Sequence, residues 1–208
     1  MRSKLTVVAA LLTAALAAGC GVRSTFTIRG SGTFGATPDG PSAVLRVTAE
    51  EEAVSRSGEV TWGKIHTPNV QEGFAERLAY VAAQEAAIDV LPQSEVNHRL
   101  RAAGAEPTLQ PDEQELHEYT RVLDVGSYLT AHIKRSTLQY RFFWSWALVE
   151  FEVACHRADG GSSPVWQVEV CRQGRFASDR EVTTEALRET FQWLREGMTP
   201  QGAQSCPK

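Results

Sequence analysis

Val149-Glu150-Phe151-Glu152-Val153-Ala154-Cys155, followed by Asp159-Gly160-Gly161 and Val165-Trp166-Gln167-Val168-Glu169-Val170, decides the fold. Each flanking stretch alternates apolar with polar residues, the period-2 pattern of a strand buried on one face, and Asp-Gly-Gly supplies the hairpin turn between them. A lone hairpin is marginal in water, so its apolar face requires further strands and helices. Leu129, Ala131 and Ile133 alternate in the same way with Tyr128, Thr130, His132 and Lys134, while residues 43–47 and 60–65 add two more strand patterns. The charged Glu50-Glu51-Glu52 run between those two is a solvated loop.

The covering helices are legible from 3.6-residue spacing. Phe74, Leu78, Val81 and Ala82 share a face over 71–86. Ile88, Val90 and Leu91 then form a short buried strand stopped by Pro92. Ser94 caps a second helix with Val96, Leu100 and Ala103 on one side and Gly104 beyond its end. Asp112, Glu113 and Glu115 complement the start of a third, whose inner face is Leu116, Tyr119, Thr120 and Leu123 and which Gly126 ends. Thr183 or Thr184 opens the last, with Leu187, Phe191 and Leu194 in a stripe. The expected architecture is an α/β domain, with α+β as the alternative: two layers, a mixed sheet of about five or six strands and about four helices.

The amino terminus reads differently. Arg2 and Lys4 precede an apolar run from Leu5 to Ala18, too short for a comfortable membrane span, and the run leads into Leu16-Ala17-Ala18-Gly19-Cys20. This resembles the lipobox of bacterial lipoproteins. The resemblance implies cleavage before Cys20, lipidation of its thiol, palmitate-type acylation of the new amine, and an essentially permanent membrane anchor. Gly21, in place of an aspartate, implies the outer membrane. The domain plan is therefore 1–19 signal peptide, 20–41 lipidated Cys20 and a glycine- and proline-rich tether in which Phe26 and Ile28 admit a short edge strand, 42–198 a single domain, and 199–208 a tail. Gly30-Ser31-Gly32-Thr33-Phe34-Gly35 matches a dinucleotide fingerprint only formally, because no helix pattern follows it.

The sequence has 21 Lys and Arg against 25 Asp and Glu. Without Arg2 and Lys4 the mature charge is −6, which argues against a nucleic-acid partner. With Cys20 carrying lipid, Cys155, Cys171 and Cys206 remain, enough for one internal disulfide in an oxidising compartment. Strand parity puts Cys155 on the apolar face and Cys171 on the polar one. That favours Cys171 with Cys206, and a bulge bringing Cys155 to Cys171 is the alternative. No CxxC or HExxH motif points to a metal, and no cofactor is expected.

Phe142-Phe143-Trp144-Ser145-Trp146, behind Tyr140-Arg141, is the densest aromatic cluster. Phe142, Trp144 and Trp146 are the candidate partner-binding or lipid-contact residues, against the reading that such rings fill the sheet–helix interface. Glu150 and Glu152 share a strand face and read as solvated. His98 near Glu95 and His117 near Glu113 read as surface ion pairs. Ser162 and Ser163 lack a nucleophile-elbow context. No catalytic residue is assigned.

The order of elements carries a second resemblance. Phe74-Ala75-Glu76-Arg77-Leu78 leading to Ile88-Asp89-Val90-Leu91, the Ser94 to Gly104 segment, Val122 to Ala131, the Asp159 turn and the closing Ala186-Leu187 helix are similar to the periplasmic domains of three groups. These are the curli-secretion lipoproteins, the lipoprotein activators of penicillin-binding proteins, and the amino-terminal domain of the Tol translocation protein TolB. The resemblance covers about residues 43 to 197 and implies a non-enzymatic module that docks an envelope protein partner. A ligand- or glycan-binding lipoprotein is the second reading, and an envelope hydrolase the third.

Overall fold

The hairpin of residues 149–170 lies at the centre of the sheet. The computed structural model describes residues 25–32, 40–50, 54–58, 70–86, 88–141, 144–160 and 163–196. Its elements run β1 (Thr25–Gly32), β2 (Ser42–Ala49), β3 (Val54–Gly58), α1 (Val70–Glu85), α2 (Gln93–Ala102), α3 (Glu113–Leu123), β4 (Ser127–Arg141), β5 (Trp144–Arg157), β6 (Trp166–Arg175) and α4 (Asp179–Glu196). The strand order is β1-β6-β5-β4-β2, with β3 also pairing β4. β2 and β3 lie parallel to β4 along successive parts of one edge, and the other pairings are antiparallel, so the sheet is mixed and the fold α/β.

Strand alternation sends Val149, Phe151, Val153 and Cys155 of β5, with Val168 and Val170 of β6, toward α1 and α4. Phe74 of α1 meets Phe151 edge-on at 5.1 Å, and Phe191 of α4 meets Trp166 at 6.3 Å. Gly174 lets α4 approach β6, because a Cβ there would stand 2.6 Å from Val182 Cγ2. Beside it the buried Arg172 is neutralised by Glu185 at 2.7 Å and by Glu189, both on α4. A second cluster holds α2 and α3: Val96, Leu100, Leu116, Tyr119 and Leu123 pack on Ala43 and Leu45. Since Val44 and Val47 belong to the α1 side, β2 is covered on both faces.

The structure corrects several sequence readings. Residues 88–91 make a single bridge, Ser42 to Val90, rather than a strand, because α2 starts at Gln93 directly after Pro92 and leaves no extended chain to continue the pairing. Pro92 therefore occupies the cap of α2, Ser94 lies inside the helix, and Ala103 is exposed. α4 opens at Asp179, where Ser178 and Glu181 form reciprocal hydrogen bonds (Ser178 N–H to Glu181 Oε2, 2.7 Å; Glu181 N–H to Ser178 Oγ, 3.2 Å). Thr183 and Thr184 instead donate to the carbonyls of Asp179 and Arg180 within the helix. Asp112 and Glu115 do make a capping box on α3, but the helix ends on the left-handed Asp124 (φ 53°) rather than on Gly126. Part of the stretch read as tether is β1, an edge strand paired along β6 with Ile28 buried. The strand pattern at 60–65 lies outside the described residues.

Candidate functional site

On the face turned away from α1 and α4, the sheet carries a ladder of opposed charges. Lys134 is the extra residue of a bulge in β4 between Ile133 and Arg135. The bulge reverses the side-chain parity of the strand. Lys134 Nζ reaches Glu169 Oε1 at 2.6 Å and Glu152 Oε2 at 3.7 Å, and Arg135 Nη2 donates to Glu150 Oε2 at 2.8 Å. The hydrogen bond to Glu169 raises the Lys134 pKa, against the opposing effect of burial. Glu150 and Glu152 are thus partnered across strands, consistent with a structural polar face. Beyond the bulge Leu138 joins the core, which the alternation up to Ile133 did not anticipate.

At the hairpin end this face opens into a cleft of about 440 Å³ lined by Arg46, Thr48, Glu113, Tyr128, Thr130, His132, Glu152, His156 and Gly160. Arg46 is held by the Pro111 carbonyl and by Glu113 Oε1, each at 2.9 Å. Glu113 is therefore engaged by Arg46, and Glu95 by Arg99 at 2.7 Å, rather than by His117 and His98. Burial and then Arg46 depress the His156 pKa, and burial and then Glu113 raise that of Tyr128. His132 Nδ1 lies 2.8 Å from Thr48 Oγ1, while Glu50 stands 3.7 Å from Nε2. Thr48 and His132 thus join β2 to β4, while the Glu50 carboxylate stands beyond hydrogen-bond range of the ring. The described residues hold no cluster of three or more metal-type ligands.

The opposite end of the sheet holds the aromatic residues. Phe142 lies outside the described residues. Trp144 begins β5, opposite Arg141, and Trp146 is half-buried between Gln139 and Arg175, on the face away from α1 and α4. The sequence reading missed Phe176: it is 63% exposed and held at φ 58°. A bulky residue in the left-handed region costs about 1–2 kcal/mol. Its N–H donates to the Ser145 carbonyl at 2.7 Å, which fixes the turn out of β6 beside Trp146. No periodicity marks Phe176, because it falls between strand and helix.

Of the cysteines, Cys155 is free and buried in the core as parity required, and burial pushes its pKa up to about 11. Cys171 lies on the opposite face and is disulfide-bonded. Cys20 and Cys206 lie outside the described residues. No described helix is long and apolar enough to cross a membrane.

No family model matches the chain, and no curated protein matches it. Among solved structures, the PelC dodecamer from Paraburkholderia phytofirmans is 13% identical, with a TM-score of 0.52 over 82% of this chain and 98% of that one. Lipoprotein GNA1162 from Neisseria meningitidis, 15% identical, gives 0.43 over 65% and 83%. The C-terminal domain of LpoB from Salmonella enterica, 12% identical, gives 0.39 over 66% and 84%. At these identities the likeness is one of fold.

Proposed function

We propose that this chain is a lipid-anchored module of the cell envelope, held by Cys20 on the periplasmic face of the outer membrane, that works by docking protein partners rather than by catalysis. The observation that carries this reading is the PelC-like fold over 98% of that neighbour's length, on a chain whose leader ends in Leu16-Ala17-Ala18-Gly19-Cys20. Because that neighbour is a dodecamer, the first partner to test is another copy of this chain. The paired charges of the open face support docking over chemistry, since groups already neutralised by one another are poorly placed to move protons for a substrate.

Fatty-acid labelling in cells, followed by native mass spectrometry of the detergent-extracted protein, tests the reading. A labelled wild type, an unlabelled Cys20→Ser and an oligomer or complex are expected. Equal label in both, or a labelled protein that remains a lone monomer in crosslinked envelopes, would overturn it. The cleft beside His132 and His156 supports a second reading, a bound ligand or glycan. Displacement of the NMR signals of those histidines by oligosaccharides would favour it.

A further inference from the structure

The start of β1 and the end of β6 lie at one end of the sheet. Thr25 pairs with Gln173, and the strands are antiparallel. The chain before Thr25 therefore leaves the sheet at the end where β6 runs on to Arg175 and Phe176. Cys20 precedes Thr25 by five residues, a segment that spans at most about 18 Å. Phe176, in the turn just past β6, stands three residues beyond Gln173, at most about 11 Å away. Whatever holds Cys20 at a bilayer keeps this end of the sheet within one short reach of lipid.

The residues there suit such a surface. Phe176 is 63% exposed, Arg175 is exposed next to it, and Trp146 is half-buried opposite Arg175. Aromatic rings settle at the headgroup level of a bilayer, and a guanidinium pairs with phosphate through parallel hydrogen bonds. His156, at the cleft, lies ten residues along β5 from Trp146, about 34 Å at the rise of a strand.

We propose that the domain stands end-on upon its own membrane, with Trp146, Arg175 and Phe176 against the phospholipid headgroups and the His132–His156 cleft at the far end, facing water. The inference takes its setting from the lipid-anchor reading. A tether of five residues leaves little room for a protein between this end and the bilayer, so the occupant is the lipid surface itself.

The test separates the two readings. The mature chain is coupled through Cys20 to a maleimide-bearing lipid in vesicles of phosphatidylethanolamine and phosphatidylglycerol, doped with a brominated phospholipid that quenches fluorescence. A fluorescent amino acid replaces Phe176 in one variant and Asp159, in the hairpin loop, in another. Quenching several-fold stronger at 176 than at 159 is expected. Equal quenching at the two positions, or a label at 176 that is shielded from water yet not quenched, overturns the proposal. The same pair of variants, lipidated in cells, is measured in parallel. An acylated, vesicle-bound chain with position 176 unquenched overturns the orientation alone. A chain without fatty acid overturns the anchor reading, and the chemically coupled vesicles still decide the orientation.

Discussion

Tyr128 and His156 stack across β4 and β5 with ring centroids 5.0 Å apart and planes 11° from parallel. The stack closes the hairpin end of the cleft, and Thr130 Oγ1 holds His156 Nε2 at 3.2 Å. Burial, with Arg46 nearby and Glu113 only partly offsetting it, disfavours the imidazolium. The folded pKa lies below the ordinary 6.5, so the unfolded chain takes up a proton that the folded chain resists. The stability linked to this group is complete above about pH 6.5 and is lost as pH falls toward the folded pKa. Denaturant midpoints taken from about pH 7.5 down to about pH 5 should show a shallower acid loss for His156→Gln than for wild type. Superimposable acid limbs would remove His156 from the account.

Leu78 and Phe191 are fully buried on the helix layer, Leu78 in α1 and Phe191 against Trp166. Leu78→Ala should cost about 2–5 kcal/mol and Phe191→Ala about 3–5 kcal/mol, through lost transfer energy and the cavity left behind. Chemical denaturation measures both. Midpoints equal to wild type would show that α1 and α4 do not carry the core.

Phe176 should be a poor choice for stability. Phe176→Gly relieves left-handed strain of about 1–2 kcal/mol and returns about 0.5–1 kcal/mol in backbone entropy, a net gain of roughly 0.5–1 kcal/mol. A lower unfolding midpoint for this variant would mean that the exposed ring stabilises the turn by contacts of its own.

Cys171 is disulfide-bonded while Cys155 is free, so we expect the partner to be Cys206. Peptide mapping without reduction should recover a linked pair containing residues 171 and 206, and Cys155 should resist thiol reagents until denaturant is added, since its pKa is about 11 and it is buried. A peptide linking Cys171 to Cys20 would contradict both the pairing and the lipidation.

Local chemistry made much of this molecule readable from its sequence. The alternation of Val149, Phe151 and Val153 against Glu150 and Glu152 determined a strand and its buried face, and the spacing of Leu116, Tyr119, Thr120 and Leu123 determined the inner side of α3, whose residues are all buried. Both are set by the period of one element, which is a property of neighbouring residues. The sequence also placed Cys155 and Cys171 on opposite faces by parity alone. Only the tertiary structure decided that Thr25–Gly32 would pair with β6 instead of remaining a tether, because an edge strand is selected by the free hydrogen-bonding edge of a distant partner. The bulge at Lys134, which turns Leu138 into the core, depends on cross-strand register with β5. The same holds for the cleft, whose Arg46, Glu113, His132 and His156 come from β2, α3, β4 and β5, and for the end of the sheet where Phe176 stands beside Trp146. Those groups meet only when strands far apart in sequence are brought into register, and no local periodicity records that.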